Sequence, residues 1–134
     1  MILKPATMAD AQMLLNLHNS SRHCYINKDL VTMGDHRKWL RRAITQQHIH
    51  IAWVNQTPVG AIRLDGSQIS YAVFHQHQRM GYATSMIRKF LDNVDKRPIL
   101  AQILTDNTAS INTILKAGFK PIASAATNAV FIYE

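Results

Sequence analysis

Between Gln68 and Val94 the hydrophobic period of the chain changes from two to about 3.6 across a polar loop that holds one glycine. A strand running straight into an amphipathic helix meets that change, so the chain must lay helix against sheet. The strand reads Gln68-Ile69-Ser70-Tyr71-Ala72-Val73-Phe74, with the turn signal Asp65-Gly66 upstream. The loop is His75 to Gly81, and Ala83, Met86, Ile87, Phe90, Leu91 and Val94 then form one apolar stripe, leaving Arg88, Lys89 and Asp92 to water. The first turn of such a helix carries unpaired N–H groups and the positive end of the helix dipole, and phosphate oxygens satisfy both. A P-loop would need Lys-Ser/Thr after its glycines and a dinucleotide fingerprint would need three glycines, so neither ATP nor NAD motifs fit.

The remaining elements alternate in the same way. Ile2-Leu3 is a short strand closed by Pro5; Thr7 caps a helix with Met8, Ala11, Leu15 and His18 on one face, broken at Asn19-Ser20-Ser21. A polar loop from Arg22 to Met33 precedes a second helix, starting near Gly34-Asp35, with His36, Trp39, Leu40, Ala43 and Ile44 on its apolar side. His48 to Trp53 alternates as a half-buried strand, Val59 to Leu64 is its hairpin partner, and Ile99 to Leu104 is an apolar run expected at the centre of the sheet. Ile111, Ile114 and Leu115 mark a last helix stopped by Gly118, and Phe119–Ala123 with Ala129–Tyr133 forms a closing hairpin. The order predicts an α/β fold: a mixed, largely antiparallel sheet with helices on both faces, in one domain over residues 1–134.

The formal charge is +7, from fifteen Lys and Arg against eight Asp and Glu. An anionic partner is expected, but the basic residues stand singly or in pairs without the aromatic-interleaved pattern of RNA-binding strands, which argues against nucleic acid. Cys24 is the only cysteine, so neither an internal disulfide nor a multi-cysteine zinc site is open to the chain. No segment approaches the roughly 18 apolar residues of a membrane span, and the N-terminus lacks a signal-like run, so a cytoplasmic location without membrane contact is expected. The pairs His48/His50 and His75/His77 have no fixed mutual spacing, and no metal is expected.

Two segments carry a resemblance. Gln78-Arg79-Met80-Gly81-Tyr82-Ala83 resembles the Q/R-x-x-G-x-G/A pyrophosphate loop of the GNAT acetyltransferase superfamily, and Asn107 to Phe119 resembles that family's N-x-x-S segment ending in G-F, in the same order and spacing. The resemblance implies acetyl-CoA as co-substrate, held in a splay between Tyr71–Phe74 and Leu100–Leu104. It assigns cofactor contacts to Ala72, Val73 and Phe74, to Gln78, Arg79, Met80, Gly81, Tyr82, Ala83 and Thr84, and to Asn107 and Ser110. Leu17-His18-Asn19, Arg22, Asp35-His36, Trp39-Leu40 and Pro58-Val59-Gly60 are similar to the GNAT branch that acetylates nucleotide-linked amino sugars of pseudaminic and related nonulosonic acids, although that branch tends to carry Trp-Arg-Asn where this chain has Leu17-His18-Asn19.

The chain departs from the family in its catalytic residues. The frequent general-acid tyrosine falls on Ile114, and no Asp or Glu lies between Asp65 and Asp92 where many relatives keep a base. Either water takes the proton of a weakly basic amine, or Asp65 or a histidine such as His36 or His75 does, or the domain binds CoA and turns over poorly. The acceptor, a small-molecule amine, is expected at Asn19, Arg22, Tyr25, Asn27 and His36, where Asp29 and Asp35 are too few for a polyamine. A protein N-terminus or lysine is the alternative acceptor, a basic partner-binding module is the alternative function, and the apolar closing strands offer an edge for a homodimer.

Overall fold

The computed structural model describes residues 1–24, 28–46 and 48–134. Strand β1 (Ile2–Pro5) is followed by a single 3-10 turn and helix α1 (Ala11–Ser20), then by helix α2 (Met33–Thr45). Strands β2 (Ile49–Val54), β3 (Thr57–Asp65) and β4 (Gln68–Val73) form a meander, helix α3 (Tyr82–Asp92) returns to β5 (Ile99–Leu104), and α4 (Thr108–Lys116) leads to the hairpin β6 (Lys120–Ser124) and β7 (Asn128–Tyr133).

The helix starts follow local chemistry. Thr7 and Asp10 make a reciprocal capping box, with the Thr7 amide 2.8 Å from Asp10 Oδ2. Thr32 Oγ1 accepts from the Asp35 amide at the start of α2. Gly118, at φ +101°, ends α4 in the left-handed conformation that glycine adopts at little cost.

The strands form one seven-stranded sheet in the order β1-β2-β3-β4-β5-β7-β6. It is antiparallel on either side of a single parallel junction, β4 with β5. Helices cover both faces. Met86, Ile87 and Phe90 of α3 and Ile114 of α4 pack on Val59, Ile62 and Leu64, whereas Leu14 and Leu17 of α1 and Leu40 of α2 pack on Ile49, Ile51 and Ala61.

That two-sided cover corrects the expectation of a half-buried β2. Ala52 is wholly buried and His50 lies edge-on to the Phe90 ring at 5.8 Å. Both faces of an interior strand are closed once helices pack above and below it. The buried face of α1 is likewise Ala11, Leu14, Leu15 and Leu17, broader than the stripe read from the sequence, because α1 touches both the sheet and α2. Gln68–Val73, the α3 stripe from Ala83 to Leu91 and the bounds of β5 stand where the sequence places them, with Phe74 just beyond its strand and Val94 just beyond its helix.

Candidate active site

The β4–β5 junction pairs only at Gln68 with Leu100, fixed by the Leu100 amide on the Ser67 carbonyl at 2.8 Å. Beyond that point the two strands diverge. β4 stays paired with β3 along its length, and the Phe74 amide bonds the Val59 carbonyl at 2.9 Å. Since antiparallel bonding alternates residue by residue, the Ser70 and Ala72 amides point to β3 and those of Tyr71 and Val73 point into the gap. The Val73 carbonyl also faces the gap, where the Gln78 side chain donates to it at 3.1 Å.

The gap opens into a cleft of about 1000 Å3, lined by β4, the loop before α3, the start of α3, Ala101–Ile103 of β5 and one side of α4. At its end Gly81 is the N-cap of α3, at φ +77°, and offers no side-chain cap. The amides of Tyr82, Ala83 and Thr84, in the first turn, have no intrahelical partner. A Cβ built on Gly81 would meet nothing within 4 Å, so the space beside this glycine is open. Arg79, His77 and Lys116 add basic groups to the same walls. Three converging amides, a helix dipole and open space over a glycine fit a diphosphate. The diverged strand edge fits an extended amide-bearing arm.

Asn107 lines this cleft, and its Oδ1 accepts from the Ser110 amide at 3.2 Å, capping α4. Asn107→Ala is therefore expected to cost about 1 kcal/mol of stability through the lost cap. Thermal melting with and without acetyl-CoA checks this: an equal loss in both marks a cap alone, a larger loss in the bound protein marks a ligand contact as well.

Tyr71 reaches across from β4 to α4, its hydroxyl 2.6 Å from Ser110 Oγ. Burial pushes the phenol up to about 12, against the opposing Ser110 hydrogen bond, so the ring stays protonated.

A second, smaller cavity of about 200 Å3 lies on the α1/α2 side of β4. Leu14, Leu17, Val31, Trp39, Ile49 and Ala61 give it apolar walls, and His18, His36 and Arg63 bring polar groups. His18, Arg63, Ser70, Tyr71 and Ala72 line both cavities, so the two meet across the middle of β4. The Arg63 guanidinium is held at this junction: Nε is 3.0 Å from Asp65 Oδ2, and the group stacks 4.8 Å above the Trp39 ring. His36 is buried beside Trp39, with ring centroids 5.7 Å apart, and its Nε2 has no hydrogen-bond partner among the described residues. Burial lowers the His36 pKa below 6.5, against the Ala11 backbone contact that raises it. His18 is lowered by burial and by the neighbouring Arg63 and His36 charges. Both imidazoles are neutral at pH 7 and can accept a proton.

A family model for the acetyltransferase (GNAT) domain matches residues 1–120. The chain belongs to the GNAT acetyltransferase family. It is an acyl-CoA N-acyltransferase with acetyl-CoA as co-substrate. Solved structures agree on the GNAT fold. A ribosomal-protein-alanine N-acetyltransferase from Brucella melitensis superposes with TM-score 0.82 at 18% identity, covering 98% of this chain and 98% of that one. The yncA structure from Salmonella typhimurium, which holds its cofactor acetyl-CoA, gives 0.84 at 17% identity, covering 98% and 91%. A spermidine N-acetyltransferase from Vibrio cholerae gives 0.81 at 14% identity, covering 98% and 94%. No curated protein matches the chain in sequence.

Within this GNAT frame the residues expected at the site fall into groups. Ala72, Val73, Gln78, Arg79, Gly81, Tyr82, Ala83, Thr84, Asn107 and Ser110 all line the large cleft. Phe74 instead packs with the α1/α2 cluster, because alternation along the chain turns it to the other face, and the Met80 side chain is 61% exposed. Neither is among the lining residues. Asn19 is engaged with the Val31 backbone, donating to its carbonyl and accepting from its amide at 3.2 Å each. It closes the loop between α1 and α2. Tyr25, Asn27 and the Arg22 side chain lie outside the described residues. His36 lines the small cavity, and Asp65 lines the large one while bracing Arg63. His75 lines neither.

Reading the sequence alone does not single out the side chains of His18, Arg63 and Tyr71 as lining both cavities. His18 reads there as part of a helix face and of the Leu17-His18-Asn19 likeness, and Tyr71 only as backbone at the start of the expected splay. The available signal was Arg63 in an otherwise apolar strand, two residues before Asp65, which marks a charge pair at a sheet face. Ile114, at the position of the frequent family tyrosine, is fully buried in the core. Among the described residues no group of three or more His, Cys, Asp or Glu could hold a metal, and no helix is long and apolar enough to cross a membrane.

Proposed function

We propose that this GNAT enzyme acetylates a small primary amine that enters through the cavity between α1, α2 and β4. The observation carrying this reading is the junction itself: two cavities of different character meet at Ser70, Tyr71 and Ala72, so two ligands can meet there and nowhere else along β4. Acetyl-CoA supplies an activated acyl group; when the acceptor nitrogen bonds the acetyl carbon and the carbon–sulfur bond breaks, one proton passes in net from nitrogen to sulfur. Tyr71 and Val73 offer amides to carbonyl oxygens of the arm and thioester, Gly81 to Thr84 hold the diphosphate, and the walls exclude water from the amine.

His18, with His36 behind it, is the group placed to take the proton from the amine. Asp65 is less suited, since it is 56% exposed, engaged with Arg63 and outside the amine's cavity. Acetyl-CoA binding by calorimetry together with release of free thiol on adding amines tests the reaction, and binding with no thiol release across a broad amine panel would leave only a CoA-binding domain.

The histidines make a pH prediction. Their folded pKa values lie below 6.5, so both are neutral bases at pH 7 and become charged only as pH falls below that value. kcat/KM is expected to show an acid limb below pH 6.5, distinct from the amine's own limb at higher pH, and His18→Gln should remove it. Stability follows the same groups: the unfolded chain binds more protons between 6.5 and the lowered values, so stability declines as pH falls through that window and is unaffected above it. A melting series over the same buffers separates loss of fold from loss of base.

A further inference from the structure

The small cavity carries information about its ligand that the family does not. Leu14, Leu17, Trp39 and Ile49 make its walls largely apolar, His18 and His36 are the polar side chains that α1 and α2 bring, and among the described residues no Asp or Glu lines it. Among the described residues the one fixed charge lining it is the Arg63 guanidinium, and it sits where the small cavity meets the larger cleft. The amine must lie at that same junction to reach the thioester. An acceptor that satisfies the whole site therefore carries its anionic group close to its amine, and an apolar body pointing away from both.

We infer that the acceptor is an α-amino acid with an apolar side chain, its carboxylate on Arg63 and its side chain between Leu14, Leu17, Trp39 and Ile49. This rests on the acetyl-transfer reading above and narrows it. The size agrees: a cavity of about 200 Å3 has room for a leucine, methionine or phenylalanine side chain with the backbone at the mouth. Arg63 is preorganised by its stack on Trp39 and its bond to Asp65. That bond uses Nε, and a guanidinium carries four further N–H donors on its Nη groups, in a fork that matches a carboxylate. A polyamine meets the opposite conditions, since its distal ammonium groups would enter an apolar cavity without a carboxylate. A nucleotide-linked sugar presents hydroxyls to those same apolar walls. Neither suits the site as an α-amino acid does.

The test is thiol release with L-leucine, L-methionine and L-phenylalanine against 3-methylbutylamine, L-leucinamide, L-glutamate and spermidine. L-leucine is expected to exceed 3-methylbutylamine and spermidine at least tenfold in kcat/KM. Arg63→Gln should narrow the ratio of L-leucine to 3-methylbutylamine at least tenfold, chiefly through KM, and Arg63→Lys should restore only part of it because the fork is lost. Equal or better turnover of spermidine or L-leucinamide, or an unchanged ratio in a folded Arg63→Gln protein, overturns the assignment.

Calorimetry of L-leucine and 3-methylbutylamine with the CoA-saturated protein gives a readout independent of turnover. Preference for L-leucine without thiol release supports the ligand class and overturns the catalytic reading alone. No preference in binding overturns the ligand class even where some other amine is acetylated.

Discussion

Gly81→Val should bind acetyl-CoA at least tenfold more weakly than the natural protein, a loss of about 1.4 kcal/mol or more. Gly81 stands at φ +77° and caps α3 from the left-handed region, which costs a residue with a Cβ roughly 1–2 kcal/mol. A valine there meets no protein atom near its Cβ, so the fold has room for it. A diphosphate held at the start of α3 as proposed would not have that room, because the branched side chain would crowd the glycine it approaches. Gly81→Ala separates the two effects, because it bears the backbone strain with a smaller obstruction. Calorimetry on folded protein gives the answer, and unchanged affinity for the valine variant would place the diphosphate elsewhere.

Gly60→Ala should be among the most damaging single-methyl additions in the molecule, destabilising it by about 3 kcal/mol. A Cβ at Gly60 would lie 2.5 Å from the Ala72 carbonyl oxygen and 3.2 Å from the Val73 Cα. These are backbone atoms of the neighbouring strand, so no side chain can rotate away. Relief requires β4 to move off β3 at Ala72 and Val73, and since the Val73 amide faces the gap, acetyl-CoA affinity is expected to fall with stability. Opposite Gly60 the β2–β3 register shifts between Ala52 and Trp53, so this part of the meander already departs from regular pairing. Gly34→Ala is the contrast: it lies in the first turn of α2 with nothing within 4 Å, and should stabilise by up to about 1 kcal/mol. Chemical denaturation of the two variants side by side measures the difference.

Local signals in this chain were legible where one residue's chemistry decides the outcome. The α3 stripe, the bounds of β5 and the Gly118 stop all follow from spacing and backbone freedom within a few residues. The loop before α3 was legible as a candidate cradle because backbone amides behind a glycine suit a diphosphate whatever side chains accompany them. The β4–β5 divergence was available only through family likeness: strands that pair at Gln68 and Leu100 leave no local mark of where their pairing ends. The acceptor cavity was harder still. Its walls come from α1, α2, β2, β3 and β4, and its polar residues read as ordinary members of their own elements until the packing brings them together. His18 falls on a helix stripe, and Arg63 lies inside an apolar strand.

The parallel junction at Gln68 and Leu100 makes this sheet a pair of antiparallel ribbons joined at one end. Without ligand it carries two strand edges in its interior, the kind of edge that most sheets confine to their margins. A bound molecule with its own amides would supply the missing rungs of the ladder, so acetyl-CoA seated in the gap as proposed would be a structural element of the sheet as well as a reagent. Its affinity is then coupled to folding: at a hundredfold excess over the dissociation constant a ligand adds about 2.7 kcal/mol to the stability of the state that binds it. In a cell that keeps the cofactor abundant, mutations in either ribbon are tolerated up to a margin that the polypeptide alone does not possess.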